Sequence, residues 1–149
     1  MIRIALLLAC ALGLSLAGCK PKPPTSPHCV SNTELQYKRI DEGYAKYQAG
    51  DKPSGGVYWA RYYLETARFV LTGKGINGSG AACTGADHDS ADYDRLMSGL
   101  RDRERNVEEM EQLRGVRFAG VAGAENGGGL RWVDRNTNAP IPGNDANTL

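Results

Sequence analysis

The chain has little net charge, few histidines and no recognisable catalytic motif. Its 149 residues include 18 Lys and Arg, 17 Asp and Glu, and 2 His. A charge balance this even gives no electrostatic basis for binding nucleic acid, because that binding starts from a basic surface. No short motif pairs a nucleophile with a base or closes a phosphate-binding loop. We therefore expect a protein that does not bind nucleic acid and is not an enzyme.

Long apolar runs are also scarce, and the most prominent one lies at the N-terminus. It extends from Ile4 to Leu16 and follows Arg3. About 13 apolar residues rise only about 20 Å in a helix, which is short of the roughly 30 Å hydrocarbon core of a bilayer. A basic start, a short apolar core and small residues at its end are typical of a secretory signal. Residues 1–18 are therefore predicted to be a signal peptide.

The apolar run ends in Leu16-Ala17-Gly18-Cys19, a leucine and two small residues before a cysteine. This tetrapeptide resembles the lipobox of bacterial lipoproteins. The resemblance implies that Cys19 is diacylated, becomes the first residue after cleavage and is then acylated on its amine. It also favours the outer membrane, because the next residue is Lys20 rather than the aspartate that favours retention in the inner membrane. We expect a lipid anchor in the cell outer membrane, with the domain facing the periplasm.

The residues after the anchor are rich in proline, which disfavours helix and central strand and favours extended polyproline geometry. Residues 19–28 are therefore predicted to form a tether. At roughly 3.1 Å per residue, residues 20–27 would hold the domain about 25 Å from the bilayer.

Cysteine use limits the covalent chemistry of the domain. The chain has 4 Cys, of which one would leave with the signal peptide and Cys19 would carry lipid. An oxidising compartment favours a disulfide between the remaining pair, Cys29 and Cys83. The alternative is a two-His, two-Cys zinc site, because His28 and His88 lie near these cysteines in the sequence. We expect the disulfide, and neither a bound metal nor a cofactor.

Residues 29–115 have helical patterning and are predicted to form a small, mainly α domain of three helices. Ser31 and Glu34 have the spacing of a capping box, which predicts the start of the first helix, and Gly50 predicts its end. The second helix is predicted from about Val57 to Thr72. Because the break between them is short, the two helices should be antiparallel neighbours.

The third helix is predicted to begin in the acidic cluster Asp87–Asp94, whose carboxylates suit the positive end of a helix dipole. A calcium site is the alternative for this cluster, although Ala91 occupies a position at which a calcium loop needs an acidic residue. Further along this helix, Glu111 and Arg114 have the spacing of a surface ion pair.

The composition changes after the third helix. Residues 116–121 and 130–134 have the pattern of two short strands, so the Gly-rich segment 116–135 is predicted to form a β-hairpin. A lone two-stranded hairpin is marginal, so this one would need to lie on the helices. Asn, Pro and Gly dominate residues 136–149, which are predicted to be a disordered tail.

The second helix is apolar over most of its circumference, with a narrow polar stripe that contains Arg61, Glu65 and Arg68. Such a helix is covered on more than one side. It is either the centre of the domain, which we favour, or the filler of a groove in a partner. Large amphipathic side chains are typical of interface cores. The residues predicted to contact a partner are Tyr58, Trp59, Tyr62 and Phe69.

Two further resemblances concern the architecture. Gly50-Asp51 followed by Ala60-x3-Leu64-x2-Ala67 is similar to the second half of a tetratricopeptide repeat, which implies a close-packed helical hairpin. The size and helical character of the chain are similar in outline to pilotins, the small lipoproteins that escort secretin subunits to the outer membrane.

These observations predict a non-enzymatic, lipid-anchored protein that presents a helical domain to another envelope protein. Two alternatives stay open. The first is a protein that binds or acts on peptidoglycan through carboxylates of Glu65 or of the Asp87–Asp94 cluster. The second is an exclusion or immunity lipoprotein carried by a mobile element.

Overall fold

The computed structural model describes residues 20–76, 83–122 and 129–149. Predictions for the signal peptide, for Cys19 and for segments 77–82 and 123–128 lie outside the described residues. The described chain is mainly helical, as predicted, with three long helices and a two-stranded antiparallel sheet. In chain order its elements are α1 (Pro27–Gln48), α2 (Gly56–Thr72), α3 (Gly85–His88), α4 (Tyr93–Leu113), β1 (Val116–Ala122), β2 (Gly129–Asp134) and α5 (Gly143–Ala146).

Helix α2 lies at the centre of the fold, which confirms the favoured prediction. It packs against α1 and α4 and also contacts β2. The larger core cluster joins apolar side chains of the three long helices, including Ile40, Leu64 and Val107. Cys83, which follows α2, is bonded to Cys29 near the start of α1. Helices α1 and α2 are therefore antiparallel neighbours, as the short break between them predicted.

Helix α1 begins earlier than the predicted cap at Ser31. Its N-cap is Ser26, whose side chain accepts a hydrogen bond from the backbone N of Cys29, and Pro27 occupies the first turn. Proline suits that position because its φ is already helical and an N–H there would have no helical partner. The prediction was wrong because Ser31 and Glu34 lie inside a helix that has already started upstream.

The predicted tether at residues 19–28 is shorter than expected, since its last two residues belong to α1. Thr25 is buried, and its Oγ1 lies 2.5 Å from Oγ of Ser90. The backbone N of Ala91 donates to the carbonyl oxygen of Pro23 at 2.9 Å. The chain is therefore fastened to the domain from Pro23 onward, because Ser90 and Ala91, which lie between α3 and α4, form hydrogen bonds with it.

Strands β1 and β2 form the predicted hairpin. They pair antiparallel with Val116 opposite Asp134, and the register shifts between Phe118 and Gly120. A second core cluster that includes Trp132 joins the sheet to α5 and to tyrosines of α2. This contact with the helices supplies the support that an isolated hairpin lacks.

Residues 136–149 were predicted to be disordered, and that prediction was wrong. They contain α5 and join β2 at an isolated bridge. The carbonyl oxygens of Thr148 and Leu149 accept hydrogen bonds from the backbone N of Gly55 and Val57, at 3.1 and 2.8 Å. The first N–H groups of a helix lack partners within it. The tail is therefore ordered by the hydrogen bonds that its carbonyl oxygens accept at the start of α2.

Cys29 and Cys83 form the predicted disulfide, across a separation of 54 residues. Because both thiols are consumed, the alternative zinc site has no sulfur ligands and is wrong. The two histidines have separate contacts: Nε2 of His28 faces a side chain of its own helix, and Nε2 of His88 lies 3.2 Å from a carbonyl oxygen of α2.

Candidate functional site

An aromatic surface forms near the N-terminal end of α2. We use that name for Tyr58, Trp59, Tyr62 and Tyr63, whose rings form a continuous group. The ring centroid of Trp59 lies 5.4 Å from those of Tyr58 and Tyr62 and 6.0 Å from that of Tyr63. Edge-to-face and stacked contacts at this separation stabilise aromatic pairs. The structure thus brings together three of the four residues that were predicted to contact a partner.

Trp59 is the exposed member of the aromatic surface. It keeps 51% of its surface accessible, whereas the three tyrosines are half-buried. Tyr58 and Tyr62 pack against the hairpin cluster, and Tyr63 packs against the core of the long helices. The exposed indole is therefore held in place by rings that the two cores position.

An open groove of about 320 Å³ lies beside the aromatic surface, between α1 and α2. Trp59 and Tyr63 line it, and the guanidinium of Arg39 lies 5.1 Å from the ring centroid of Tyr63. That distance is within the range of a cation–π interaction. Lys46 and Glu42 also line the groove. The groove thus combines aromatic rings with a rim that is more cationic than anionic.

Phe69, the fourth predicted contact residue, does not belong to the aromatic surface. It is half-buried towards the C-terminal end of α2. Within the described residues, the ring contacts that join the aromatic surface do not reach it. Tyr63 takes its place, and its position four residues after Trp59, on the same helix face, is the signal that could have identified it.

The C-terminal tail positions the start of the aromatic surface. Gly55, the N-cap of α2, has a φ of 78°, in the left-handed region that favours glycine. A Cβ on Gly55 would lie 3.1 Å from the carbonyl oxygen of Asn147 and 3.5 Å from Cδ1 of Trp59. A side chain at position 55 would therefore be strained by the positive φ and would crowd the tail carbonyl, whereas its contact with the indole would be an ordinary van der Waals contact.

A buried ion-pair network lies where α2 meets α4 and the hairpin. Arg61 donates to both carboxylate oxygens of Glu111, from Nε at 2.8 Å and from Nη2 at 2.7 Å. Its Nη1 lies 3.4 Å from Oε1 of Glu65, and its guanidinium lies 4.4 Å from the ring centroid of Phe118. Nε1 of Trp132 donates to Oε1 of Glu111 at 3.0 Å. The arginine and both glutamates are buried.

Sequence patterns did not predict this burial. Arg61 and Glu65 belong to the predicted polar stripe of α2, and Glu111 was paired with Arg114, which donates instead to the carbonyl oxygen of Thr148. Burial acts to lower the pKa of Arg61, but its hydrogen bonds to Glu111 and the charges of the two glutamates outweigh that effect and raise it. The network depends on contact between two helices, which spacing within one helix cannot reveal.

A groove of about 500 Å³ opens onto the network and is lined by four arginines and four glutamates, among others. Glu65 faces Arg61 through one oxygen and Arg68 through the other, at 3.4 and 3.3 Å. Glu104 accepts from Nη2 of Arg68 at 2.5 Å. Carboxylates that the protein's own guanidinium groups occupy are poorly placed to act as a general acid or a nucleophile. Because Arg61 and Arg68 occupy its two oxygens, Glu65 is better suited to a structural role.

The acidic cluster Asp87–Asp94 caps a helix, as its favoured interpretation predicted, but it covers two helix segments rather than one. Helix α3 contains Asp87, and α4 begins only at Tyr93. The carboxylate of Asp87 accepts from the backbone N of Thr84 at 2.7 Å and of Ser26 at 2.8 Å. The hydrogen bonds from Ser26 and Thr84 lower the pKa of Asp87 to about 2. These donors occupy both oxygens of Asp87, the first ligand position of the alternative calcium loop.

No family model matches the chain, and no curated protein or solved structure matches it significantly. In the ranges that the structure describes, no helix is both long and apolar enough to cross a membrane.

Proposed function

We propose that this chain is a non-enzymatic, lipid-anchored protein of the bacterial cell envelope, and that it binds another envelope protein through the aromatic surface. The observation that carries the proposal is Trp59, which keeps 51% of its surface exposed within a packed group of rings. Tryptophan and tyrosine are enriched among the side chains that dominate binding energy. Since Arg39 and Lys46 line the adjoining groove, the partner is expected to present apolar groups beside acidic ones.

The anchor rests on the lipobox-like sequence Leu16-Ala17-Gly18-Cys19. A disulfide between two further cysteines supports it, because such bonds persist in oxidising compartments outside the cytoplasm. The proposed sorting to the outer membrane rests on Lys20, the residue that follows the anchor.

Intact-mass measurement of the membrane-extracted protein tests the anchor. We expect a chain that begins at Cys19 and carries a diacylglyceryl group and an amide-linked acyl chain. The variant Cys19→Ser should lose this added mass. A mature wild-type chain without lipid would contradict the proposal.

Photocrosslinking in intact envelopes tests the partner surface. A photoreactive amino acid at position 62 should give one discrete crosslinked protein product. In a second version that also carries Trp59→Ala, the product should fall about 30-fold, as expected for the loss of a dominant side chain worth about 2 kcal/mol. The matched control is Leu113→Ala, which removes another exposed apolar side chain (61% accessible) outside the aromatic surface and should leave the product unchanged.

The alternatives predict different products. A wall-directed protein would bind purified sacculi, or reduce their turbidity, and would give no protein crosslink at position 62. An exclusion or immunity lipoprotein would use the same surface, but its crosslinked partner would be a protein encoded by a competing mobile element. Equal crosslinking in Trp59→Ala and Leu113→Ala would contradict a role for the aromatic surface.

A further inference from the structure

The N-terminal segment is fastened to one end of the domain by several hydrogen bonds. Oγ1 of Thr25 lies 2.5 Å from Oγ of Ser90 and accepts from the backbone N of Asp92 at 2.9 Å. The backbone N of Ala91 donates to the carbonyl oxygen of Pro23 at 2.9 Å. Because Thr25 and Ser90 are buried, water does not compete freely for these groups. Pro23 is therefore the first residue whose backbone the domain holds by a hydrogen bond.

Residues 20–22 alone separate Cys19 from this fastened point. A chain advances at most about 3.3 to 3.6 Å per residue, so the path from Cys19 to Pro23 reaches about 14 Å. This is well below the 25 Å expected of a free tether at roughly 3.1 Å per residue. Lys22 restricts the path further, since its Nζ lies 3.2 Å from a carboxylate oxygen of Asp94.

The fastened segment meets the domain where several helix ends lie together. The disulfide joins the start of α1 to Cys83, whose backbone N donates to the carbonyl oxygen of Val70 near the end of α2. The hydroxyl of Tyr93, at the start of α4, donates to the carbonyl oxygen of Leu71 at 2.8 Å. We call this region the anchor end: the start of α1, the end of α2, α3 and the start of α4.

The opposite end carries the break between α1 and α2 and the C-terminal tail, and the hairpin packs beside α2 against Tyr58 and Tyr62. Helix α1 has 22 residues and therefore spans about 33 Å at 1.5 Å per residue. Trp59 precedes Thr72, the last residue of α2, by about 13 residues, or about 20 Å along the helix. The aromatic surface thus lies in the half of the domain that is far from the anchor end.

We propose that the domain stands end-on on the membrane, with its anchor end against the lipid headgroups and its aromatic surface turned towards the periplasm. This inference rests on the proposed acylation of Cys19. The short segment of residues 20–22 keeps the anchor end at the bilayer, and the opposite end reaches lipid only if the domain lies flat. The flanks carry exposed ion pairs, Lys38–Glu42 and Arg105–Asp102, and charged groups gain nothing from contact with apolar lipid.

Two matched variants test this orientation: Asp89→Cys at the anchor end and Asp51→Cys at the opposite end. Both aspartates are exposed. In the acylated protein the introduced thiol is available for a nitroxide label, because Cys19 carries lipid and Cys29 and Cys83 are bonded to each other. The full acylated chain is reconstituted in phosphatidylcholine and phosphatidylglycerol vesicles that contain a lipid with a nickel-chelating headgroup. The relaxation of each label by membrane-bound nickel is then measured.

We expect the label at position 89 to relax several-fold more strongly than the label at position 51. A long Gly-Ser insertion between Lys22 and Pro23 should abolish most of this difference, because it lengthens the segment between Cys19 and Pro23 and leaves the fastening contacts intact. Equal or reversed relaxation in vesicle-bound protein, or a difference that the insertion leaves unchanged, would overturn the orientation while the anchor stands. A chain that does not float with the vesicles would overturn both the anchor and the orientation.

Discussion

Arg61 is a charged residue in the interior of the fold, and its partners explain why it is tolerated there. Removing a guanidinium from water costs several kcal/mol unless close partners compensate. Here the two-pronged hydrogen bond to Glu111 and the ring of Phe118 provide that compensation. Glu111 also accepts from Trp132, so α2, α4 and the hairpin meet at a single carboxylate.

Removing that carboxylate should therefore be costly. Glu111→Ala leaves a buried cation with fewer partners and an indole N–H without its acceptor, and we expect a loss of about 3 to 5 kcal/mol in the free energy of unfolding. Urea denaturation followed by circular dichroism measures it. The matched control is Asp102→Ala, which removes an exposed ion pair with Arg105 and should cost less than about 1 kcal/mol.

Replacing both charges together tests whether that loss of stability comes from the unpaired buried cation. Arg61→Met combined with Glu111→Leu removes the unpaired cation, while Glu65 keeps Arg68 as a partner and the Trp132 N–H stays without its acceptor. The double variant should therefore regain part of the stability that Glu111→Ala loses. Equal losses in Glu111→Ala and Asp102→Ala, or a double variant less stable than Glu111→Ala, would contradict the interpretation.

Among the elements, α3 connects the N-terminal segment to the helical core through Asp87. Hydrogen bonds from the backbone N of Ser26 and of Thr84 hold the pKa of Asp87 at about 2. Because this pKa is below its ordinary value of 3.8, the unfolded chain binds a proton more readily than the folded one. The stabilisation is thus fully present above about pH 4 and is lost as the pH falls through 2.

The lowered pKa of Asp87 can be tested by thermal unfolding between pH 6 and pH 2. Asp87→Ala should have a lower melting temperature than the wild type at pH 6, and the gap should close as the pH approaches 2. Asp134 also has a lowered pKa, from hydrogen bonds with Thr137 and Asn136. Both carboxylates therefore contribute to the pH dependence of the wild type, and the difference between the wild type and Asp87→Ala gives the contribution of Asp87 alone. Asp94→Ala, the matched control, removes an exposed carboxylate and should lower the melting temperature at pH 6 less than Asp87→Ala does. A gap that stays constant with pH would contradict the assignment.

At the scale of the whole molecule, the disulfide and the C-terminal tail fasten opposite ends of the helical core. The disulfide holds α1 to the chain after α2 across 54 residues. A bond that closes a loop of this length restricts the unfolded chain strongly in the loop-entropy treatment. The tail works through backbone hydrogen bonds to the start of α2.

Replacing both bridging cysteines, Cys29→Ser with Cys83→Ser, should lower the free energy of unfolding by about 4 kcal/mol. Urea denaturation of the variant, and of the wild type with and without reductant, measures this change. The variant should not respond to reductant, whereas the wild type should lose a similar amount of stability. A wild type whose stability does not change on reduction would show that the bond contributes little.

The amino-acid sequence by itself determined the helices, the hairpin and the disulfide. Glycines and apolar periodicity mark helix ends and faces over a few residues, so α2 was predicted almost to its termini. Assigning one cysteine to the predicted signal peptide and one to the predicted lipid anchor left a single pair to bond. Tyr58, Trp59 and Tyr62 were predicted as contact residues from the excess of large aromatic side chains in the second helix, whereas Tyr63 was missed.

Only the tertiary structure decided which polar groups are buried and which terminal segments are ordered. Arg61 meets Glu111 across 50 residues, and Thr25 meets Ser90 across 65. The tail orders because its carbonyl oxygens meet the first N–H groups of α2. Each of these contacts depends on which helix faces pack together, and local composition carries no information about that choice because both partners look solvent-exposed until the core brings them into contact.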